Sequence, residues 1–167
     1  GIPAHKVLHA CLDIPSSRLT VGILSLQIDT EPVVKLTERA HSNPLRVLSL
    51  CGGMDAAYGV LRELGFRIDI YHSVEINSTA RAVAVSLVPP IHYIAHDIFE
   101  VTFDMIKQGR YNLILAGAPC TPWSRGGNIQ GFHAPEADVF IRVSDIKDWA
   151  EIVNKNCIFI GETVIPH

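Results

Sequence analysis

The sequence predicts a doubly wound α/β fold, with a mostly parallel sheet and helices on both of its faces. From Arg46 onward, short apolar runs alternate with segments of helical periodicity. Gly or Pro stands at many of the junctions, where turns need special backbone geometry. Strands that alternate with helices through short connections are typical of a parallel sheet covered on both faces.

Each element is predicted from its own pattern and its stop signals. In order, these are strand 47–50, helix 54–64, strand 67–74, helix 77–88, strand 91–94, helix 101–108, strand 112–117, helix 138–154 and strand 157–160. Gly65 is a C-terminal stop for the first helix. Asn77 is the expected N-cap of the second helix, and Pro89 ends it. The run 112–117 (Asn-Leu-Ile-Leu-Ala-Gly) is the clearest buried strand.

The first 44 residues differ in pattern from the rest. Apolar and polar residues alternate over 19–28, a turn follows at 29–32, and a second strand-like run covers 33–37. This pattern predicts a β-hairpin. We therefore expect a β-rich extension over 1–44 ahead of an α/β domain over 45–167, and the extension carries no recognisable functional motif.

Composition narrows the class of protein. The chain has 167 residues, of which 48% are hydrophobic, and a formal net charge of −3. A nucleic-acid-binding surface would have to be a small patch or lie elsewhere, because such domains usually carry a basic face. The four cysteines lack zinc-ligand spacing, so free thiols and no metal are expected. Without a signal peptide or membrane span, we expect an intracellular protein, nuclear in a eukaryote and cytoplasmic in a bacterium or virus.

Ligands of such sheets bind beyond the carboxyl ends of the strands. The glycines of Cys51-Gly-Gly-Met-Asp55 follow the first strand, Glu75 follows the second and Asp97 the third. An acidic residue at the place of Glu75 hydrogen-bonds ribose hydroxyls in nucleoside sites. Neither phosphate-binding glycine motif is present, so an adenosine cleft fits better than NAD or ATP. Each feature has an alternative interpretation. The glycine pair is then only a tight turn, Glu75 a solvated carboxylate and Asp97 a helix cap.

A cysteine follows the clearest strand, within Ala118-Pro-Cys-Thr-Pro-Trp-Ser-Arg-Gly-Gly127. A Pro-flanked turn at the mouth of a cleft exposes and aims a side chain, which a nucleophile needs and a structural cysteine does not. Glu162 ends the last predicted strand and therefore lies on the same sheet edge as Cys120. A carboxylic acid there is a plausible acid/base partner.

In this order, these residues resemble the DNA cytosine-5 methyltransferases. The matching motifs are Leu48-Ser-Leu-Cys-Gly-Gly, Glu75, Asp97, Pro119-Cys120 and Gly161-Glu-Thr-Val. Within that family the sequence looks most like the animal de novo group. The resemblance covers roughly 46–165, and it implies a Rossmann-like sheet that binds S-adenosylmethionine.

The resemblance also implies a mechanism on DNA. The target cytosine is flipped out of the duplex, Cys120 attacks its C6, Glu162 holds and protonates N3, and C5 then takes the methyl group. Catalytic roles fall to Cys120, Glu162, Pro119 and Ser124, and DNA contacts to the mobile loop Arg125, Gly126 and Gly127. The implied cofactor-binding residues are Cys51, Gly52, Gly53, Met54, Asp55, Glu75, Ile76, Asp97, Ile98 and Ala118.

The family's later motifs, including its target-recognition region, do not follow in this sequence. We therefore expect a catalytic half that is inactive alone and is completed by a second chain or a downstream segment. Two alternatives stay open. One is a non-catalytic, methyltransferase-like module that binds or regulates a partner, which the altered first motif at Cys51 and Gly52 favours. The other is methylation of cytosine in RNA by the same chemistry.

Overall fold

A computed structural model describes residues 43–87, 91–124, 126–127 and 130–162. Its elements are β1 (Leu45–Leu50), α1 (Ala56–Glu63), β2 (Ile68–Val74), α2 (Ser78–Leu87), β3 (His92–Ala95), α3 (Phe103–Gly109), β4 (Leu113–Ala116), α4 (Ala137–Val153) and β5 (Ile158–Gly161). Short 3₁₀ turns cover 98–100 and 131–133. The helix and strand predictions from residue 45 onward are confirmed, with ends that differ by up to two residues.

All five strands are parallel and lie in the order β3-β2-β1-β4-β5. The chain therefore winds outward from β1 in one direction and then returns to build β4 and β5 on its other side. The point at which the order reverses lies between β1 and β4. In open α/β sheets this switch point is where ligands bind, because the loops after the two central strands diverge there.

The sheet is buried on both faces around β1. Leu48 and Leu50 face a core that includes residues of α4, and Val47 faces a second cluster with Tyr71 and Leu113. Alternate strand residues point to opposite faces, so a strand covered on both sides is apolar along its whole length. This double burial fixes the position of the β1 end.

Helix ends follow the local signals in the sequence. Asn77 caps α2, its Oδ1 accepting from the backbone N–H of Thr79 and Ala80 at 2.9 and 3.1 Å. Gly65 follows α1 with φ +83°, in the region that favours glycine. Because Asp55 N–H donates to the Gly52 carbonyl at 2.9 Å, residues 52–55 form a turn, and α1 begins at Ala56 rather than at 54.

The predicted N-terminal hairpin lies in residues 1–42, outside the described residues, and the extension stays a prediction. Within the described ranges, no helix combines the length and apolar character needed to cross a membrane. The same residues contain no cluster of three or more His, Cys, Asp or Glu side chains able to hold a metal ion.

Candidate active site

The two loops selected from the sequence meet at the switch point. Gly117 follows β4, and its N–H donates to the Leu50 carbonyl at 3.0 Å. A β-carbon on Gly117 would lie only 3.2 Å from the carbonyl oxygen of Cys51. The glycine therefore allows the segment that leads to Cys120 to pass directly beside the turn that follows β1.

Glu75 ties this edge of the sheet together. Its side chain is buried at the end of β2. Oε2 accepts from the backbone N–H of Gly53 and Oε1 from that of Asn77, both at 2.8 Å. A carboxylate offers about four acceptor positions, so each oxygen retains capacity for a second donor such as a ribose hydroxyl.

The surroundings of Glu75 suit a nucleoside. Ile76 is 70% exposed and Met54 is 55% exposed, so two large apolar side chains flank a buried carboxylate. Arg81 Nη1 donates to the carbonyls of Glu75 and Ile76 at 2.7 and 2.8 Å, which fixes the backbone beneath them. Gly53 has φ +58° and open space where a β-carbon would stand. These exposures are compatible with the predicted cofactor contacts of Met54, Glu75 and Ile76, which stay predictions.

Asp97 is a helix cap, as the alternative interpretation had it. Its Oδ1 accepts from Phe99 N–H at 3.0 Å, and Glu100 completes a capping box. Ile98, which the family resemblance placed at the adenine, is only 5% exposed and packs in the main core. Its side chain is packed in the core, and its predicted contact with the cofactor stays a prediction.

The thiol of Cys51 is held neutral. Burial, reinforced by the charges of Glu75 and Asp97, raises its pKa to about 11. A thiol with that pKa is almost wholly protonated at neutral pH and is a poor nucleophile. Cys51, Glu75 and Asp97 follow the parallel neighbours β1, β2 and β3, so three predicted cofactor residues lie at one edge of the sheet.

The predicted cofactor contact of Asp55 disagrees with the geometry. Its side chain is 1% exposed, and it accepts hydrogen bonds from the hydroxyls of Tyr71 and Ser73 in β2 and Tyr93 in β3. The carboxylate therefore lies beneath the turn and does not face the cleft. The sequence prediction missed these three hydroxyl residues, although strand alternation places Tyr71 and Ser73 on one face.

Cys120 opens a compact turn. Its carbonyl accepts from the N–H groups of Trp123 and Ser124 at 3.0 and 2.9 Å. Trp123 is buried and packs edge-on against Phe132 and Phe140, with ring centroids 5.7 and 5.3 Å apart. The indole anchors the turn in the protein, while Cys120 itself remains partly exposed. The turn and the partial exposure are compatible with a nucleophile, and the catalytic role of Cys120 stays a prediction.

The loop after the turn is only partly described. A β-carbon on Gly127 would overlap the backbone of Thr121, so this glycine is needed for close packing. Gly126 is exposed with open space around it. Arg125 lies outside the described residues, so its proposed substrate contact stays a prediction, as do those of the two glycines.

Glu162 stands next to the segment that leads to Cys120. Its N–H donates to the Ala116 carbonyl at 2.9 Å, which continues the ladder between β4 and β5. Ala118, two residues before Cys120, lines the same cleft as Glu162. The cleft has a volume of about 280 Å³ and is lined by Ala116, Ala118, Phe140, Val143, Ser144, Lys147, Phe159, Gly161 and Glu162. Sequence reasoning missed Ser144 and Lys147, because the face that α4 turns to the sheet depends on packing.

Known proteins resemble this chain over the same region. The tRNA (cytosine(38)-C(5))-methyltransferase of Mus musculus is 27% identical over 103 residues, which is 62% of this chain and 25% of that protein. The enzyme of the same name from Spodoptera frugiperda is 26% identical over 109 residues, or 65% and 33% of the two chains. The chain thus spans between a quarter and a third of the length of these relatives.

Solved structures agree on the fold. A Spodoptera frugiperda DNMT2 mutant has a TM-score of 0.54 at 24% identity, over 71% of this chain and 35% of that one. Dnmt2 methyltransferase from S. pombe has a TM-score of 0.56 at 21% identity, over 73% and 35%. These relatives are of the tRNA-methylating and Dnmt2 type, so the closer likeness to the animal de novo group stays a prediction.

The family model for C-5 cytosine-specific DNA methylase matches residues 45–149, from the start of β1 to nearly the end of α4. This range contains the Glu75 edge, the Asp97 cap and the Cys120 turn. The family uses S-adenosylmethionine, which is the cofactor that the sequence predicted. This chain belongs to the C-5 cytosine-specific DNA methylase family.

Proposed function

We propose that this chain carries the cofactor-binding and nucleophilic parts of an enzyme that methylates C5 of cytosine in a nucleic acid. One observation carries the proposal. Gly117 brings the segment leading to Cys120 against the Cys51 carbonyl, so the nucleophile's turn and the nucleoside-binding edge adjoin. A methyl transfer needs this proximity, because donor and acceptor must be held together in an attack geometry.

S-adenosylmethionine supplies an activated methyl group on a sulfonium. In this proposal Glu75 accepts hydrogen bonds from the ribose hydroxyls, and Ile76 and Met54 pack on the adenosine. Gly53 gives the ligand close access to the backbone of the turn. Cys51 lines the site as an uncharged thiol, because its raised pKa of about 11 keeps the thiol protonated.

The substrate's C5 is a poor nucleophile until C6 is attacked. The Cys120 thiolate forms a bond to C6, and Glu162 donates a proton to N3, so that C5 becomes the nucleophilic end of an enamine. C5 would then take the methyl group that bound S-adenosylmethionine would supply. A general base would remove the C5 proton, the C6–S bond would break to release the Cys120 thiolate, and N3 would return its proton to Glu162. Before these steps, the target cytosine must leave its stack in the nucleic acid to reach Cys120.

We propose cytosine in RNA as the leading substrate. The similar enzymes from Mus musculus and Spodoptera frugiperda are named as tRNA methyltransferases. The description of the matching family, a DNA methylase, keeps duplex DNA as the second candidate. Both polymers present the same reacting ring to Cys120, so this part of the fold does not distinguish them.

The full reaction also requires contacts that the described residues do not make. Within those residues, neither the Cys120 thiol nor the Glu162 carboxylate has a hydrogen-bond partner. The chain also spans at most a third of these relatives. We propose that a second chain or a further segment completes the substrate side.

Covalent trapping tests the nucleophile and the substrate together. The protein made from its complete reading frame is incubated with S-adenosylmethionine and RNA or DNA that contains 5-fluorocytosine. Fluorine at C5 cannot leave as a proton, so the Cys120–C6 bond persists and the adduct migrates as a larger species. We expect an adduct with RNA that Cys120→Ser abolishes, because serine is a far weaker nucleophile at neutral pH.

Cys157→Ser is the matched control, and we expect it to form the adduct normally. An adduct that survives Cys120→Ser would disprove the nucleophile. Trapping on DNA but not on RNA would reverse the substrate order. No adduct with either polymer, together with normal binding of S-adenosylhomocysteine, would favour the non-catalytic module.

A further inference from the structure

A buried carboxylate that the proposed reaction does not use lies under the turn after β1. The Asp55 side chain is 1% exposed. Its Oδ2 accepts from Ser73 Oγ at 2.8 Å and from the Tyr93 hydroxyl at 3.4 Å, and its Oδ1 accepts from the Tyr71 hydroxyl at 3.2 Å. The three donors belong to β2 and β3, so one side chain in the turn is bonded to two neighbouring strands.

The charge of Asp55 is compensated by hydroxyls. Among the described residues, no Lys, Arg or His forms an ion pair with it. Burial, reinforced by the charge of Asp55, raises the pKa of Tyr93 to about 12 and that of Tyr71 further still. Both phenols therefore stay protonated at physiological pH and remain donors. A buried carboxylate needs such donors, because desolvation without hydrogen bonds is costly.

The backbone of the turn is adapted to this side chain. Asp55 has φ +53° and ψ +37°, a left-handed conformation that Asp adopts more readily than most residues. A β-carbon on Gly52 would overlap both the Asp55 carboxylate and Ser49 Oγ. The Asp55 carboxylate therefore occupies the space that a side chain at position 52 would fill.

Gly53 lies between these two residues and carries the contact with the cofactor edge. Its N–H donates to Glu75 Oε2 at 2.8 Å, and no atom lies within 4 Å of the position that a β-carbon would take. Any movement of Gly52 or Asp55 changes the direction of this N–H, because the three residues belong to one tight turn. The orientation of the Glu75 carboxylate therefore depends on where Asp55 is held.

We infer that Asp55 is a positioning residue that anchors the cofactor-binding turn to β2 and β3 and so fixes the Gly53–Glu75 hydrogen bond. This inference rests on the proposed function in so far as Glu75 holds the cofactor. It assigns Asp55 a role through Glu75, without contact with the cofactor. It also accounts for the glycine at 52, since a side chain there would displace the carboxylate.

Amide hydrogen exchange at Gly53 tests the anchor directly, in the 167-residue chain. Asp55→Asn retains the shape but replaces one acceptor oxygen with a donor, and Asp55→Ala removes the group. We expect Gly53 to exchange about 10-fold faster or more in both variants, since hydrogen bonds to a charged group are lost. The amides of Leu50 and Leu115, inside the sheet, provide the reference and should keep their protection. Gly52→Ala should give the same local pattern.

Tyr93→Phe and Ile146→Val make the test graded and keep it informative if Asp55→Ala does not fold. Tyr93→Phe removes the longest of the three bonds, so we expect about a 2- to 5-fold acceleration at Gly53. Ile146→Val trims the core on the other face of the sheet and should lower Tm while leaving the ratio of Gly53 to Leu50 exchange unchanged. If Gly53 keeps its protection in Asp55→Asn, or if all amides accelerate together, the anchor does not exist.

Titration with S-adenosylhomocysteine, well below Tm, then links the anchor to the site. We expect Asp55→Asn to raise Kd about 10-fold, and Ile146→Val to leave it within a factor of two. An unchanged Kd in Asp55→Asn would overturn the positioning role even if Gly53 exchange responds. If the unmodified chain binds no S-adenosylhomocysteine, the cofactor proposal fails, while the Gly53 exchange result still decides whether the anchor exists.

Discussion

Two parts of the carboxyl edge of this sheet differ in how their acidic and nucleophilic groups are held. They are the proposed cofactor edge, after β1, β2 and β3, and the proposed catalytic edge, after β4 and β5. At the ends of β1, β2 and β3, the carboxylates of Asp55, Glu75 and Asp97 all accept hydrogen bonds from the chain itself. At the ends of β4 and β5, the side chains of Cys120 and Glu162 have no such partner among the described residues.

The described residues therefore hold the acidic groups of the cofactor edge by hydrogen bonds, and they provide no such bonds to Cys120 and Glu162. Groups that are already bonded keep one geometry without a ligand, so the cofactor edge is preorganised and loses little order on binding. At the catalytic edge Cys120 is partly exposed and Glu162 is exposed, so both side chains are accessible to a substrate. Cofactor binding and catalysis should therefore fail separately when the two edges are altered.

The largest difference between the effect on catalysis and the effect on cofactor binding is expected from Glu162→Gln. The amide keeps the shape of the side chain but cannot donate a proton to N3, so trapping of 5-fluorocytosine RNA should slow by about 10²- to 10³-fold. Kd for S-adenosylhomocysteine should stay unchanged, because Glu162 lies across β4 from the cofactor turn. The adduct's rate of formation is followed by gel shift. A variant that traps normally would remove Glu162 from the mechanism.

Glu75→Gln should produce the opposite pattern with a smaller effect. The amide has one acceptor oxygen where the carboxylate has two, so one of the N–H bonds from Gly53 and Asn77 is lost together with the charge. We expect Kd for S-adenosylhomocysteine to rise about 10- to 100-fold by calorimetry. Glu63→Gln, at an exposed carboxylate on α1, is the matched control and should bind as the unmodified chain does. Equal losses in both variants would contradict a specific role for Glu75.

The smallest expected effect is the pH dependence of stability at Cys51. Its pKa rises from 9.0 when the chain is unfolded to about 11 in the fold. The unfolded state therefore loses its proton first as pH rises, and the free energy of unfolding should fall between pH 9 and 11 by at most about 1 to 3 kcal/mol. Urea unfolding at pH 8 and pH 10.5 measures this fall.

Cys51→Ala should reduce that fall by the contribution of its own thiol, and Cys157→Ala is a matched comparison. Burial also raises the pKa of Cys157 to about 11, but its acidic neighbour is Glu151. Each variant is then combined with Glu75→Gln. This change should shift the midpoint of the pH dependence in Cys157→Ala, which retains Cys51, and should not shift it in Cys51→Ala. A shift in the Cys51→Ala background would show that Glu75 acts on stability by another route.

Much of the fold follows from the sequence because burial on both faces leaves a continuous apolar signature. Residues 47–50 and 113–116 read as strands for this reason, and Asn77 and Gly65 mark helix ends by local chemistry. The start of β1 at Leu45 was missed. Arg46 breaks the apolar run, and its place in the strand is secured by long-range bonds to Asp69 and to the carbonyl of Gly109.

The site was predictable in position but not in the direction of every side chain. Strand ends identified Glu75, Cys120 and Glu162, because the carboxyl ends of parallel strands share an edge. Asp55 was assigned to the cofactor because its backbone lies in the same turn. Its left-handed φ and the hydroxyls beneath it, one from the separate strand β3, depend on the strand order and could not be inferred from a local pattern.

Gly117 should limit the substitutions that the chain tolerates at this position. The obstacle to a larger residue there is the carbonyl oxygen of Cys51, which belongs to the main chain. A larger residue at 117 requires the backbone at Cys51 to shift by a few tenths of an ångström, and an exchange of the side chain at position 51 does not remove this obstacle. In a library of variants, position 117 should therefore stay depleted of larger residues in every background at 51. A homologue with a bulky residue at 117 would need to have rebuilt the path between its two loops.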